Sequence, residues 1–500
     1  MKAETKYKGA LKLSAIADSL GWITEFESST ESLNSKFGVS SIDKFYDWEK
    51  SVGGRFNGFV DRIKAGSYSD DTQLLLCVSR SIKPNGFIDN VYFSKKELPS
   101  WLLYSRGAGR TIKNAAQKIE RKSANWNSNF FNFKAGEVTV DYRESGANGA
   151  AMRILPIALA NFRDIEIIKR EVFSNSIVTH GHSRAILGAL LLAYAVDLIL
   201  PISPEDFNPE NFIIQIGQDF QKKFELPFLN EPTFASWIME WNKGSKISFQ
   251  EQYQKSLIDT QEQLRQLYKG LTTKQPTKDI LKQIGCVAKE TKGSGISTVL
   301  AGIYLTCKFH KTPIEGILYA VNYLGSDTDS IAAFTGSLLG ALHGQAIIPE
   351  KWKNVQDFEY LDKIANDLLS ISEATYSKND NYGNPSAKAF DLKKDIYKLE
   401  DTVYFEPLGE GVISKIDRQQ PLTKGKYNLI IDIDFKIGQS CRFSKLISGE
   451  IPKAQNEKEV ISLIREKILN SKQDIIISEI SKINNPELNE IVKLILKSLA

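Results

Sequence analysis

Cysteine is scarce in this chain: 500 residues hold four, Cys77, Cys286, Cys307 and Cys441, widely spaced. Cys77 and Cys307 fall inside apolar helical patterns, so buried free thiols are expected rather than a disulfide framework or a cysteine-held zinc. Histidine is equally rare, with four residues, of which His180 and His182 form a His-x-His pair. Neither sign of charge dominates: 64 Lys and Arg face 60 Asp and Glu, a net charge of +4 that carries no nucleic-acid signature. A long apolar run is also missing. The longest, 185–200, includes Asp197 and stops at Pro201, which reads as a buried helix rather than a membrane span. The opening Met1-Lys2-Ala3-Glu4-Thr5-Lys6 has no apolar signal core. These absences agree with a soluble cytoplasmic enzyme without a membrane partner, and the length suits a large core and a second unit.

Two acidic clusters stand out against this background. Gly66-Ser67-Tyr68-Ser69-Asp70-Asp71-Thr72 comes early, and Gly325-Ser326-Asp327-Thr328-Asp329-Ser330-Ile331 comes late. Each sets two carboxylates and neighbouring hydroxyls beside a glycine and runs straight into an apolar segment. Carboxylates at the mouth of a hydrophobic helix are costly to bury unless a cation neutralises them. One cluster alone is explained by helix capping, through Ser69 or Asp70, and Asp327 or Asp329. A cap needs one such residue, however, and each cluster offers at least three. Oxygen-only donors suit Mg²⁺ or Mn²⁺, and argue against the His-x-His pair as the main metal site. The paired clusters therefore predict a two-metal hydrolytic site.

Between and around them runs an ordered set of words. Gly9-Ala10-Leu11 leads through Ala17-Asp18-Ser19-Leu20-Gly21 to Glu25. The first acidic cluster follows, then Arg106-Gly107-Ala108-Gly109 and Ser145-Gly146-Ala147-Asn148-Gly149-Ala150-Ala151-Met152-Arg153. Thr179-His180-Gly181-His182 and the late cluster complete the order, continuing as Gly336-Ser337-Leu338-Leu339-Gly340-Ala341. This order resembles the ADP-ribosylglycohydrolase family, of the dinitrogenase-reductase-activating type, over residues 8–365. The resemblance implies an orthogonal all-α bundle and hydrolysis of the bond joining ADP-ribose to a modified group, with two Mg²⁺ ions (or Mn²⁺) at the site.

Carried over position by position, the family's metal ligands become Ser69, Asp70 and Asp71 with Asp327, Asp329 and Ser330, and Asp329 bridges both ions. Ser69 stands where the family has Thr, Ser326 where Gly is commoner, and Ala147 where many members have Gly. Glu25 matches a base or metal-gating carboxylate, and Asp70, Asp71 and Asp329 join it in the catalytic set. Cleavage at the ribose anomeric carbon passes through an oxocarbenium-like state and needs an oriented water, which a carboxylate can deprotonate. Gly107, Gly109, Gly146 and Gly149 let backbone N–H groups approach the diphosphate, Ser145 and Asn148 add side-chain hydrogen bonds, and His180 lies near the nucleotide. A non-catalytic ADP-ribose-binding or structural member of the same fold is the alternative. The linkage is left open among Arg, Ser, another side chain and a nucleic-acid base, and the substrate between a macromolecule and a small molecule.

Apolar periodicity predicts helices over 11–20, 72–82, 150–160, 185–200, 298–307, 313–323 and 331–343. The Gln-rich stretch 250–265 reads as a solvated helix. Residues 1–372 form the expected catalytic domain and the turn-rich 373–394 a linker. Residues 395–500 are expected to be a small α+β domain, with strands over 403–405, 411–416 and 427–435 and helices over 456–469 and 486–499. Nothing in that unit resembles a catalytic group, and Asp432 and Asp434 read as the exposed side of an alternating strand. It is expected to be a detachable module that meets a protein partner or supports assembly, the alternative being that its strands and helices pack onto the bundle and stabilise it.

Overall fold

A computed structural model describes residues 2–377 and 388–452. The helices expected over 456–469 and 486–499 lie outside the described residues. Residues 2–377 build a helical body with two short antiparallel hairpins, β1 (Trp48–Val52) with β2 (Phe59–Ile63) and β3 (Asn132–Ala135) with β4 (Val138–Asp141). Among the described residues no helix is long and apolar enough to cross a membrane.

Two helices form the axis of the body. Ala3–Thr24 is buried from Lys6 to Thr24 with one exception, and Thr328–His343 from Thr328 to Leu342. Helices that are apolar on every side belong in a core. These two run antiparallel at near backbone contact, because glycines line the seam. A Cβ on Gly336 would lie 2.3 Å from the Leu13 carbonyl oxygen, and one on Gly21 2.5 Å from that of Thr328. The antiparallel crossing sets the C-terminal end of the first helix, where Glu25 sits, beside the N-terminal end of the second, which carries Asp327 and Asp329. Thr24 and Thr328 lock that end, their hydroxyl oxygens 3.0 Å apart.

The expected helices are present, with one break. Residues 150–160 do not form a single helix: a 3₁₀ segment, Asn148–Arg153, gives way to Leu155–Ala160. Pro156 explains the restart, since it has no N–H to continue a helix from behind and fits only a first turn. The Gln-rich stretch belongs to Phe249–Thr272, which is solvated on one side only. Leu257, Thr260, Leu264 and Leu267 are buried, and Ser183 at the start of a neighbouring helix donates to the Gln252 carbonyl.

The C-terminal strands make a five-stranded sheet in the order β5 (Lys388–Ala389), β6 (Thr402–Phe405), β7 (Gly409–Gln419), β8 (Lys426–Phe435) and β9 (Ser440–Ser448). Among the described residues only the β5–β6 pair is parallel. The sheet is docked, and its core is continuous with that of the helical body. Tyr104 packs edge-on against Phe405 and Phe443, with ring centroids 6.4 and 5.6 Å apart. Asp357 accepts from the Ser440 hydroxyl at 2.6 Å and from the Tyr68 hydroxyl at 2.6 Å. This burial on both faces explains why β8 carries the unbroken run Leu429-Ile430-Ile431. Asp432 is no free surface carboxylate: its cross-strand partner Arg442 forks onto it at 2.6 and 2.7 Å.

Candidate functional site

The early acidic cluster opens the Asp70–Arg80 helix. Ser69 caps it, its hydroxyl oxygen accepting from the Asp71 N–H at 3.2 Å. The turn itself is held by Asp18 from the first helix, a fully buried carboxylate. Asp18 accepts from the Ser69 N–H at 3.2 Å, the Thr72 N–H at 3.1 Å and the Thr72 hydroxyl at 2.5 Å. Capping is thus Asp18's and Ser69's work, which leaves Asp70 and Asp71 free of it. Asp18 belongs to the quoted word 17–21 but was not among the expected site residues. A side chain that caps a helix fifty-odd residues away leaves no local pattern.

One hydrogen bond joins the two clusters across 259 residues of sequence: the Ser330 hydroxyl donates to Asp71 Oδ2 at 2.8 Å. The remaining contacts follow the same convergence. Asn148 Nδ2 donates to Asp327 Oδ2 at 3.2 Å, and a Cβ on Gly107 would fall 2.9 Å from Asp70 Oδ1. Gly107 also has a φ of +86°, a conformation that favours glycine. Segment 146–148 is tied down by the Gly293-Ser294-Gly295 turn. The Asn148 N–H donates to the Gly293 carbonyl at 2.9 Å and the Gly295 N–H to the Gly146 carbonyl at 3.1 Å. That pairing was not expected from the sequence, because nothing local announces a bridge between loops so far apart.

The electrostatics are those of an acidic site short of positive charge. Burial, with Asp327 and Asp70 nearby, pushes the Glu25 carboxyl up to about 8, against the pull of Lys50 and Lys292. Burial and the Asp18 charge push Asp70 up to about 7. Asp71 and Asp329 are both raised well above the ordinary carboxylate range, by burial first and then by their acidic neighbours. His180 goes the other way: burial and the Arg153 guanidinium bring it down to about 3, so its ring is neutral. Its Nδ1 lies 2.8 Å from the Thr179 hydroxyl, while its far edge faces Gly149, where a Cβ would meet Cε1 at 2.8 Å. His182 has a structural task, accepting the Arg184 N–H at 3.0 Å to cap the Ser183–Ile199 helix.

Not every expected residue makes a contact with the others. Gly109 caps the Arg110–Lys118 helix with open space beyond its Cα. Gly146 lies against the Arg184 and His182 side chains. Three buried polar atoms around the site have no partner among the described residues: Ser145 Oγ, Arg184 Nε and Trp22 Nε1. Buried donors and acceptors are rarely left unmade, and these three sit beside the glycine segments. Among the described residues no three His, Cys, Asp or Glu side chains are drawn up as a finished metal cage. The donor chemistry nonetheless fits a hard divalent cation: Glu25, Asp70, Asp71, Asp327 and Asp329 supply carboxylates, and Ser69 and Ser330 supply hydroxyls. Their mutual repulsion is the charge imbalance that such an ion removes.

The fold and site together define a largely helical body, with a C-terminal sheet docked on it, whose acidic, oxygen-rich site lies where the ends of its core helices converge. The chain belongs to the ADP-ribosylglycohydrolase family, whose model matches residues 1–378. It is 24% identical over 377 residues to an ADP-ribosylarginine hydrolase of Serratia proteamaculans, covering 73% of this chain and 80% of that protein. It is 26% identical over 315 residues to an ADP-ribosylhydrolase of Danio rerio, covering 61% and 77%. An ADP-ribosyl-[dinitrogen reductase] glycohydrolase of Rhodospirillum rubrum is 29% identical over 191 residues, 38% of this chain and 55% of that one. Among solved structures, an ADP-ribosylglycohydrolase-related protein complex covers 75% of this chain and 99% of its own at 20% identity, with a TM-score of 0.46.

Proposed function

We propose that this chain is a Mg²⁺-dependent hydrolase that cleaves the glycosidic bond between ADP-ribose and a modified group on a macromolecule or small molecule. The observation that carries the reading is the Ser330–Asp71 hydrogen bond at 2.8 Å, which makes one site of two clusters otherwise far apart. Ser69, Asp70 and Asp71 with Asp327, Asp329 and Ser330 would hold two Mg²⁺ or Mn²⁺ ions. When bound, such ions supply Lewis acidity and orient ribose hydroxyls. The Ser330 hydroxyl donates its hydrogen bond to Asp71, so its oxygen lone pairs remain for a cation.

The chain's own residues do the rest. Glu25 takes the proton of the attacking water on a carboxylate oxygen, at the end of the helix nearest the late cluster. The unpartnered Ser145 hydroxyl and the Asn148 amide bond the diphosphate or ribose, and Gly107, Gly109 and Gly149 open backbone N–H groups to it. The Gly146 N–H, by contrast, is taken by the Glu144 carbonyl at 3.0 Å, and Gly146 contributes only its lack of a Cβ. Neutral His180 serves as a hydrogen-bonding ring at the nucleotide rather than as a cation.

The test is release of free ADP-ribose, followed by mass spectrometry, from ADP-ribosylated arginine, serine and nucleic-acid base substrates in Mg²⁺ and in EDTA. The name of the Serratia relative makes the arginine linkage the first to try. Release from at least one linkage in Mg²⁺ and none in EDTA is expected. Tight ADP-ribose binding with no release across the panel would turn the reading to a non-catalytic binder.

A further inference from the structure

Arg442 lies on β9, beyond the segment matched by the family model, yet it reaches the glycine loop of the candidate site through a single carboxylate. Asp61 on β2 is that carboxylate. It accepts from Arg106 Nε and Nη2 at 3.1 and 3.2 Å and from Arg442 Nη1 at 2.9 Å. The rest of the Arg442 guanidinium is fixed as well: its Nε and Nη2 grip Asp432, and Nη1 also donates to the Arg62 carbonyl at 2.6 Å. Two guanidinium groups and two carboxylates therefore form one neutral, largely buried chain from the sheet to Arg106. Removing any link leaves a buried charge without its counter-ion.

Arg106 is the residue before Gly107. Its guanidinium lies over the Trp22 ring at 5.5 Å, and its N–H donates to Gln73 Oε1, on the helix of Asp70 and Asp71, at 3.2 Å. Gly107 itself stands against Asp70 Oδ1 and Trp22 Nε1, where a Cβ would fall 2.9 and 3.1 Å away. At the other end of the same short stretch, the Tyr104 ring rests on Phe443. Arg442 and Phe443 are consecutive on β9, so they leave opposite faces of the strand. One strand thus grips both ends of segment 104–107, one end by charge and the other by an aromatic contact.

We propose that Arg442 is a positioning residue for the candidate site: through Asp61 it fixes Arg106, and with it the Gly107-Ala108-Gly109 turn, against Asp70. This rests on the functional reading above, and it makes the C-terminal sheet a working part of the site. A fork matters here, because a lysine ammonium cannot span Asp61 and Asp432 together.

The test uses the full chain and the variants Arg442→Met, Arg442→Lys, Asp432→Asn and Arg418→Met. Arg418, on β7, is the control: it pairs with Asp395, in the connection between β5 and β6, at 2.7 Å, and among the described residues it makes no bond to the glycine loop. Amide hydrogen exchange of a peptide spanning 104–110 is read by mass spectrometry, beside thermal midpoints, ADP-ribose affinity and kcat. Arg442→Met should speed exchange in that peptide and lower kcat, each on the order of tenfold or more, as small displacements in a site do. Arg442→Lys and Asp432→Asn should fall between it and wild type, and Arg418→Met should match wild type in both. Should Arg442→Met not fold, the two milder variants carry the comparison. Unchanged exchange and kcat in folded Arg442 and Asp432 variants would overturn the proposal, as would an equal loss in Arg418→Met. A wild-type protein without hydrolysis or ADP-ribose binding would defeat the functional reading instead, and the exchange data would still decide the role of Arg442.

Discussion

Adding a divalent cation should stabilise this protein, and more so at high pH than at low. Without the cation, Asp70 and Glu25 are held near 7 and 8 in the folded chain, against ordinary values of 3.8 and 4.5. Between about pH 4 and pH 8 the folded state thus binds more protons than the unfolded state. Its stability is fully present below the unfolded values and is lost as pH rises through the folded ones. A rise of about three units at Asp70 alone corresponds to ~4 kcal/mol across that window. Asp71 and Asp329, raised in the same direction, add to it. A cation competes with those protons, and at a hundred times its Kd it contributes about 2.7 kcal/mol. In a chain of this length that is a shift of a few degrees in Tm. Differential scanning calorimetry in EDTA should show Tm falling from pH 5 to pH 8.5. In 10 mM Mg²⁺ the fall should be reduced, with the greater gain at pH 8.5. No effect of Mg²⁺ at either pH, or a larger gain at pH 5, would refute the reasoning.

Other outcomes follow from single contacts. Glu25→Gln keeps shape and removes a proton acceptor, so kcat should drop on the order of a hundredfold while calorimetric ADP-ribose affinity changes little; an unchanged kcat would place the base elsewhere. Asp18→Asn weakens the buried acceptor of two N–H groups and a hydroxyl at the start of the Asp70–Arg80 helix. It should cost about 1–3 kcal/mol in urea unfolding and loosen Mg²⁺ binding as well. Cutting the chain after residue 387 should give aggregated or destabilised protein in size-exclusion chromatography, since it uncovers Tyr104 and takes the Gln439 amide from Arg80. A well-folded, fully active fragment would restore the detachable module.

What the sequence made legible was the chemistry that is expensive to hide. Asp70, Asp71, Asp327 and Asp329 announced themselves because carboxylates beside apolar helices demand a reason, and the order of the words around them carried the family and its helical fold. Periodicity likewise marked the core helices, including 185–200 and 331–343. The break at Ile154 was written in Pro156 but outweighed by the apolar run around it. What stayed hidden depends on distance along the chain. Asp18 holding Ser69, Gly293 pairing with Asn148, and Arg442 reaching Asp61 across 381 residues are each a property of two places at once. The sheet read as an independent unit for the same reason, because its docking lies in partners such as Tyr104 and Asp357 that precede it.

Two acidic clusters, joined by Ser330 and Asp71, are proposed to make one metal-binding hydrolytic site. The most direct test is anomalous diffraction from crystals of the full chain grown with Mn²⁺, in wild type and in Asp329→Ala. Mn²⁺ peaks coordinated by carboxylates of both clusters are expected in wild type, with at least one peak lost in Asp329→Ala. Wild-type crystals showing no peak there, or Mn²⁺ bound by one cluster alone, would contradict it.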